Sequence, residues 1–284
     1  MTIPAAKVME LRSMTGAGMM DCKRALQESD GDLAKASDYL RKKGIAIAEK
    51  KSGRETNEGA VSLAFAEDHK TAAIVQLACE TDFVALNDQF TAFIDILARQ
   101  VLAKGDQDLT GQQLQDSGDT VGDRLTEEIG RLGENLRLIE ARRMSLDGEG
   151  LIGGYVHSNG KIGVLVALSS QGGADRERLQ SLAKDLAMHI AASRVTAITT
   201  EEVDPAVLEK EREILVAQAK DTGKPDNIID KIVAGRLKKF VAESTLMSQP
   251  FVKDPDKTVA QMLSEAGQEL GGSVVPVEFV KFQF

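Results

Sequence analysis

The chain contains no Trp, only 4% aromatic residues, two cysteines and three histidines in 284 residues. Cys22 and Cys79 alone cannot make a disulfide framework, and so low a count points to a reducing compartment. Three isolated histidines with no second His or Cys nearby provide no zinc spacing, so neither a metal nor any other cofactor is expected. No apolar run approaches the roughly 20 residues that a membrane-spanning helix needs. The N-terminus, MTIPAAKVMELRSMTG, has neither a secretory apolar segment nor the Arg and Ser bias of a transit peptide. Positive charge is also in deficit, 35 − 44 = −9, which argues against a protein held by nucleic-acid phosphates. These absences lead us to expect a cytoplasmic protein without membrane or direct nucleic-acid partners.

The residues present are those of an ordinary globular protein, 42% apolar and 28% charged, at a length where chains divide into domains. The charge is uneven: residues 1–54 carry 11 Lys and Arg against 7 Asp and Glu, and the remainder 24 against 37. The shift falls at Lys50-Lys51-Ser52-Gly53-Arg54, which reads as a linker. Before it, Val8, Leu11 and Met14 mark one short helix, interrupted by Thr15-Gly16-Ala17-Gly18. Cys22, Ala25 and Leu26 mark a second. Leu33, Ala36, Tyr39 and Leu40 mark a third, capped by Asp32 and ending at Gly44.

After the linker the pattern changes to that of an α+β protein. Residues 60–65 and 72–77 flank Glu67-Asp68-His69-Lys70 as a hairpin. A helix bearing Phe90, Phe93, Ile94 and Leu97 follows, then a surface excursion over 104–123, a short helix around Ile129 and Leu132, and a strand over 136–146. A shift of 91 positions lays Glu58-Gly59 on Glu149-Gly150, Lys70 on Lys161, Val75 on Val166 and Leu77 on Leu168. Both copies run from hairpin to amphipathic helix, the second with Leu179, Leu182, Leu186 and Ile190, which points to an internal duplication. Residues 204–245 interrupt the second copy as an antiparallel helical hairpin, turning at Thr222-Gly223-Lys224-Pro225. The chain then has a short helix around Met262-Leu263 and a last strand over 277–282. The expected units are therefore 1–54, 55–140, 141–203, 204–245 and 246–284.

No constellation supports covalent or acid–base chemistry. Cys79 ends an apolar strand with no base beside it, and His189 lies within an apolar helix. Gly16-Ala17-Gly18 has no preceding strand and no following Gly-Lys-Ser/Thr, so it is no phosphate loop. Three places leave two readings open. In Glu80-Thr81-Asp82-Phe83-Val84, a Thr or Asp could cap a turn with Phe83 folded inward, or an acid–aromatic pair could project from a strand end. Met19-Met20 could belong to a core or to an adaptable binding surface. His157, at the tip of His157-Ser158-Asn159-Gly160, could make a contact or simply be solvated.

Thr15-Gly16-Ala17-Gly18-Met19-Met20-Asp21-Cys22-Lys23 with Ala25-Leu26 and Gly31-Asp32 closely resembles the N-terminal signature of the elongation factor Ts family. Cys79-Glu80-Thr81-Asp82-Phe83-Val84 resembles its second signature. Tyr155-Val156-His157, residues 162–166, Gly223-Lys224-Pro225 and Gln249-Pro250-Phe251-Val252 also match. The resemblance implies a non-enzymatic guanine nucleotide exchange factor for elongation factor Tu. It implies a ubiquitin-associated-like N-terminal domain, a duplicated α+β core, and a helical hairpin over 204–245 that dimerises. Carried over, Met19 and Met20 would grip the GTPase. Thr81, Asp82, Phe83 and Val84 would insert beside its magnesium site, and His157 would contact another part of it. Some relatives carry a further C-terminal helical module, and contacts assigned to that module are not expected of this chain. The alternative is a module that holds the GTPase passively.

Overall fold

The computed structural model describes residues 3–115, 117–172, 175–220 and 225–284. Three helices open the chain: α1 (Ala5–Thr15), α2 (Met19–Glu28) and α3 (Leu33–Lys51). Val8, Leu11, Cys22, Ala25, Leu26 and Ala36 form their small core. Asp32 caps α3 by accepting the Lys35 N–H. α3 does not end at Gly44, and Lys50 and Lys51 are helical rather than linker. Gly44 stays inside the helix because it is the docking point. It lies against Gly130 on α6 (Val121–Leu132), where a Cβ added to Gly130 would come within 2.8 Å of the Gly44 Cα. Lys51 Nζ reaches the Gly133 carbonyl and anchors the end of the same helix.

β1 (Glu58–Phe65), β2 (Thr71–Cys79) and β3 (Arg137–Ser145) make one antiparallel sheet in that order. The boundary expected between 140 and 141 cuts through β3, which pairs with β2 along its length. Alternation sends Val61, Leu63 and Phe65 to one face and Ala60 to the other, the period of two that a strand imposes. A one-turn helix α4 (Asp82–Ala85) leads into α5 (Asp88–Lys104), whose Phe90, Phe93, Ile94 and Leu97 pack on the outer face. The second sheet joins β4 (Gly150–Val156), β5 (Ile162–Gln171) and β8 (Ser273–Gln283). α7 (Arg176–Ala192) and α10 (Val259–Glu269) cover its outer face. Between the sheets lie Val61, Ile74, Met144, Ile152, Leu165 and Phe282. The core is thus four layers, helix–sheet–sheet–helix.

Chain register makes the duplication concrete. Gly59↔Ala78 becomes Gly150↔Ser169 under the shift of 91, and the same holds through to Phe65↔Ala72 and Val156↔Gly163. Gly59 and Gly150 both have positive φ, +154° and +128°, and a Cβ on either would collide with the backbone of the facing strand. The third strands carry the same irregularity, a bulge after Gln76 in one copy and after Ala167 in the other. α6 and α10 start on equivalent capping boxes, Thr120 with Asp123 and Thr258 with Gln261. The excursion over 104–123 therefore has a counterpart in the stretch containing β6 (Pro250–Phe251) and β7 (Asp254–Thr258). It is not wholly superficial, since Leu109 is buried and Gln100 Nε2 donates to the Gln112 side chain and the Gln113 carbonyl.

The insert comprises α8 (Pro205–Lys220) and α9 (Asp226–Ser244); the expected turn residues 222–224 lie outside the described residues. An apolar seam of Leu215, Ala219, Ile229 and Val233 joins the arms. At its neck Thr196 N–H donates to the Ser244 carbonyl, and Leu246 N–H to that of Ala197.

Candidate functional site

β2 is buried almost throughout and ends at Cys79. Its thiol donates to the Thr81 carbonyl at 3.1 Å. Burial, followed by the nearby Glu134 charge, pushes the Cys79 pKa up to about 12, so the thiol is no nucleophile near neutrality. Thr81 then caps α4, accepting the Val84 N–H at 3.4 Å. Asn87 caps α5 by accepting the Gln89 N–H at 2.8 Å. The two caps leave Asp82 and Phe83 on an isolated helical turn at the end of a fully packed strand. Of the two readings the sequence allowed, both contribute: Thr81 caps the turn, and Phe83 does not fold inward but is 83% exposed. Val84 lies half-buried against the first core, while Leu86, unremarked in the sequence, is exposed beside Phe83.

The turn has a polar foundation that periodicity could not reveal. Glu134 Oε2 accepts the backbone N–H groups of Glu80 and Thr81 at 3.1 and 3.0 Å, and its Oε1 accepts the Thr81 hydroxyl at 2.7 Å. In return the Glu80 carboxylate accepts the Asn135 N–H at 2.7 Å and pairs with Arg54 at 3.1 Å. Although burial alone would raise the Glu80 pKa, these donors leave it below the ordinary carboxylate value. Glu134 and Asn135 follow a helix stop and lie over fifty residues from their partners in sequence. The only local signal was the glycine that ends α6.

His157 is exposed at the β4–β5 turn, its Nδ1 2.9 Å from Asn159 Oδ1. The turn is not loose. The Gly160 carbonyl accepts the Val61 N–H at 2.8 Å, the Lys161 carbonyl accepts the Phe284 N–H, and Lys161 Nζ pairs with Glu58 at 2.5 Å. The hydrogen bond to Glu58 holds the Lys161 pKa above the usual amine value, with the charge of Asp82 adding to it. The His157 turn and the Asp82–Phe83 turn therefore share one end of the core. Met19 and Met20 begin α2 and are 39% and 74% exposed. The loop before them lies against Arg131, whose guanidinium pairs with the buried Glu128 at 3.1 Å. Glu128 in turn accepts from Gln89 on α5 at 2.8 Å. Desolvation outweighs the two facing arginines, Arg131 and Arg124, and raises the Glu128 pKa.

Beside the Gly44–Gly130 crossing, a cleft of about 610 Å³ opens between the helical head and α6, lined by both signs of charge including Asp21, Lys43, Arg124 and Glu127. Among the described residues no group of three or more His, Cys, Asp or Glu is placed to hold a metal ion. Nor is any described helix long and apolar enough to cross a membrane.

The fold defines a class: a duplicated α+β scaffold with a helical head and an inserted helical hairpin. Within that class, the chain belongs to the elongation factor Ts family. The family described as "Elongation factor TS" matches residues 80–284. Elongation factor Ts of Hydrogenovibrio crunogenus is 46% identical over 277 residues, spanning 96% of this chain and 90% of the relative. Those of Clostridium novyi (42% identical, 99% and 92% covered) and Desulfovibrio desulfuricans (44%, 99% and 98%) extend the similarity to essentially the whole chain.

Proposed function

We propose that the chain is a guanine nucleotide exchange factor for elongation factor Tu in cytoplasmic translation elongation, and that it acts without a chemical active site. Besides the family, the observation that carries this is Phe83, a fully presented aromatic ring beside Asp82 on a turn fixed by Thr81. An exposed Phe forgoes about 1.5–3 kcal/mol that burial against a partner would return. A GTPase holds GDP through backbone amides around the phosphates and through Mg²⁺. The Thr81–Val84 turn acts as a wedge that displaces the magnesium-side element of elongation factor Tu. Each 1.4 kcal/mol of weakening releases nucleotide about tenfold more readily. Linkage then requires bound nucleotide to weaken the factor's hold by the same factor, which lets GTP expel it.

The other candidate residues fit this role. Met19 and Met20, on a ubiquitin-associated-like head, supply an adaptable grip. His157 contacts a second part of the GTPase from the same end of the core. Val207, Ile214 and Ile228, exposed on the arms of the insert, form the face through which two copies dimerise.

Stopped-flow release of fluorescent GDP from elongation factor Tu tests the reading. We expect acceleration by the intact chain and a Phe83→Ala variant that loses exchange rate far more than affinity. Binding without acceleration would leave only a passive holding module. A Phe83→Ala rate at the level of the parent would remove the wedge.

A further inference from the structure

We propose that Glu134 is the positioning residue of the exchange site: its carboxylate grips the backbone of Glu80 and Thr81 and so sets the direction in which Asp82 and Phe83 leave β2. The inference rests on the reading of Phe83 as the wedge. Three donors converge on this one carboxylate, two consecutive N–H groups and the Thr81 hydroxyl, at 3.1, 3.0 and 2.7 Å. Bonds to an ionised acceptor are roughly twice as strong as neutral ones. The hydroxyl matters most. Its single hydrogen is committed to Glu134, so its lone pairs are turned toward the Val84 N–H that it caps. Glu134 therefore orients the cap, and the cap orients α4.

The reciprocal bond locks the arrangement from the other side. Glu80 accepts the Asn135 N–H, and Asn135 Nδ2 donates to the Arg54 carbonyl at 2.9 Å. The strand end, the α6–β3 turn and the segment leading from the helical head are thereby tied at one point. Glu134 itself is half-buried on a bend between α6 and β3, and its carboxylate is directed to the strand end through its three bonds.

Exchange is measured against factor concentration for the parent, Glu134→Ala, Glu134→Gln, Phe83→Ala and the Glu134→Ala/Phe83→Ala double variant. Glu134→Ala should lower the saturating exchange rate about tenfold, the loss of a hydrogen bond to a charged group, with half-saturation moving less than about twofold. Glu134→Gln should recover most of the rate, because its amide oxygen still accepts the two N–H groups and the Thr81 hydroxyl can turn to accept from its nitrogen. The double variant should be no slower than Phe83→Ala alone, the non-additivity expected when one residue acts through another. A parent-like rate in Glu134→Ala, or losses that simply add, overturns the proposal. Glu134→Asp, which keeps the charge but shortens the reach, repeats the test if Glu134→Ala folds poorly. Should the parent chain itself fail to accelerate GDP release, it is the exchange reading that has failed. Positioning is then decided by amide hydrogen exchange at Glu80 and Thr81, where faster exchange in Glu134→Ala supports it and unchanged protection overturns it.

Discussion

Phe90 and Phe83 stand on either side of one short turn and have opposite fates: the first has no exposed surface and the second almost nothing else. Phe90 belongs to a stripe of helical period, so its burial was legible in the sequence. Phe83 belongs to no stripe, which is why pattern left it ambiguous until the caps on Thr81 and Asn87 were seen. The histidines divide in the same way. His189, set within an apolar helix, is a core residue. Its Nδ1 accepts the Val252 N–H at 3.2 Å, so Nε2 carries the hydrogen and donates it to Gln249 Oε1 at 2.8 Å. Gln249 also donates to the carbonyls of Arg194 and Glu243, so Gln249-Pro250-Phe251-Val252 fastens the insert's base rather than a ligand. Burial lowers the His189 pKa below its ordinary 6.5, although the bond to Gln249 opposes this. The unfolded chain then binds a proton that the folded chain refuses. Stability is full above about pH 6.5 and declines as pH falls below it, by at most about 1.4 kcal/mol per pH unit. Melting temperatures followed from pH 7.5 to 5 should fall less steeply for His189→Gln than for the parent; equal slopes would exclude His189 as the cause.

Among the elements, α3 departs furthest from its reading. Gly44 looked like a stop because glycine usually is one, and the helix continues because tertiary docking outweighs the penalty of about 1 kcal/mol that a mid-helix Gly carries. No single-chain pattern announces that its partner is Gly130. The contact reverses the usual effect of a substitution. In an isolated helix Gly130→Ala would stabilise, whereas here the new Cβ would press on the Gly44 Cα and push α3 away. We expect faster hydrogen exchange across residues 5–51 in Gly130→Ala with little change in the sheets; unchanged protection of the head would show that it does not depend on this crossing. α7 shows the opposite case, an end whose cap came from far along the chain. Lys281 Nζ donates to the carbonyls of Ile190, Ala191 and Ser193 at 3.0–3.1 Å. That satisfies orphan carbonyls at the negative end of the helix dipole.

Over the whole molecule the two copies do more than resemble one another. The Gly160 carbonyl accepts from Val61, and the His69 carbonyl accepts from Ile152, positions that exchange under the same shift of 91. Within each half the repeat holds as well: Phe284 N–H meets the Lys161 carbonyl as Leu146 N–H meets that of Lys70. The core is thus built like a two-fold dimer on one chain, each half gripping the other with the same atoms. Sequence comparison revealed the repeat but could not reveal this exchange, which depends on how the sheets stack. The insert stands outside it, with its own seam and a hydrogen-bonded neck. Replacing 204–245 with a short loop should leave the core's melting temperature nearly unchanged and reduce the mass seen by light scattering from dimer to monomer. A monomeric parent chain would remove the dimer role. The bond on the Gly160 side also has a mechanical consequence. The Phe83 turn and the His157 turn are prongs at one end of the core, braced at their root by the Val61–Gly160 hydrogen bond and the Glu58–Lys161 ion pair. On the exchange reading proposed above, a fork so braced that meets a softer partner puts the deformation on the partner, so the work of loosening the nucleotide would be done in the shape of the GTPase.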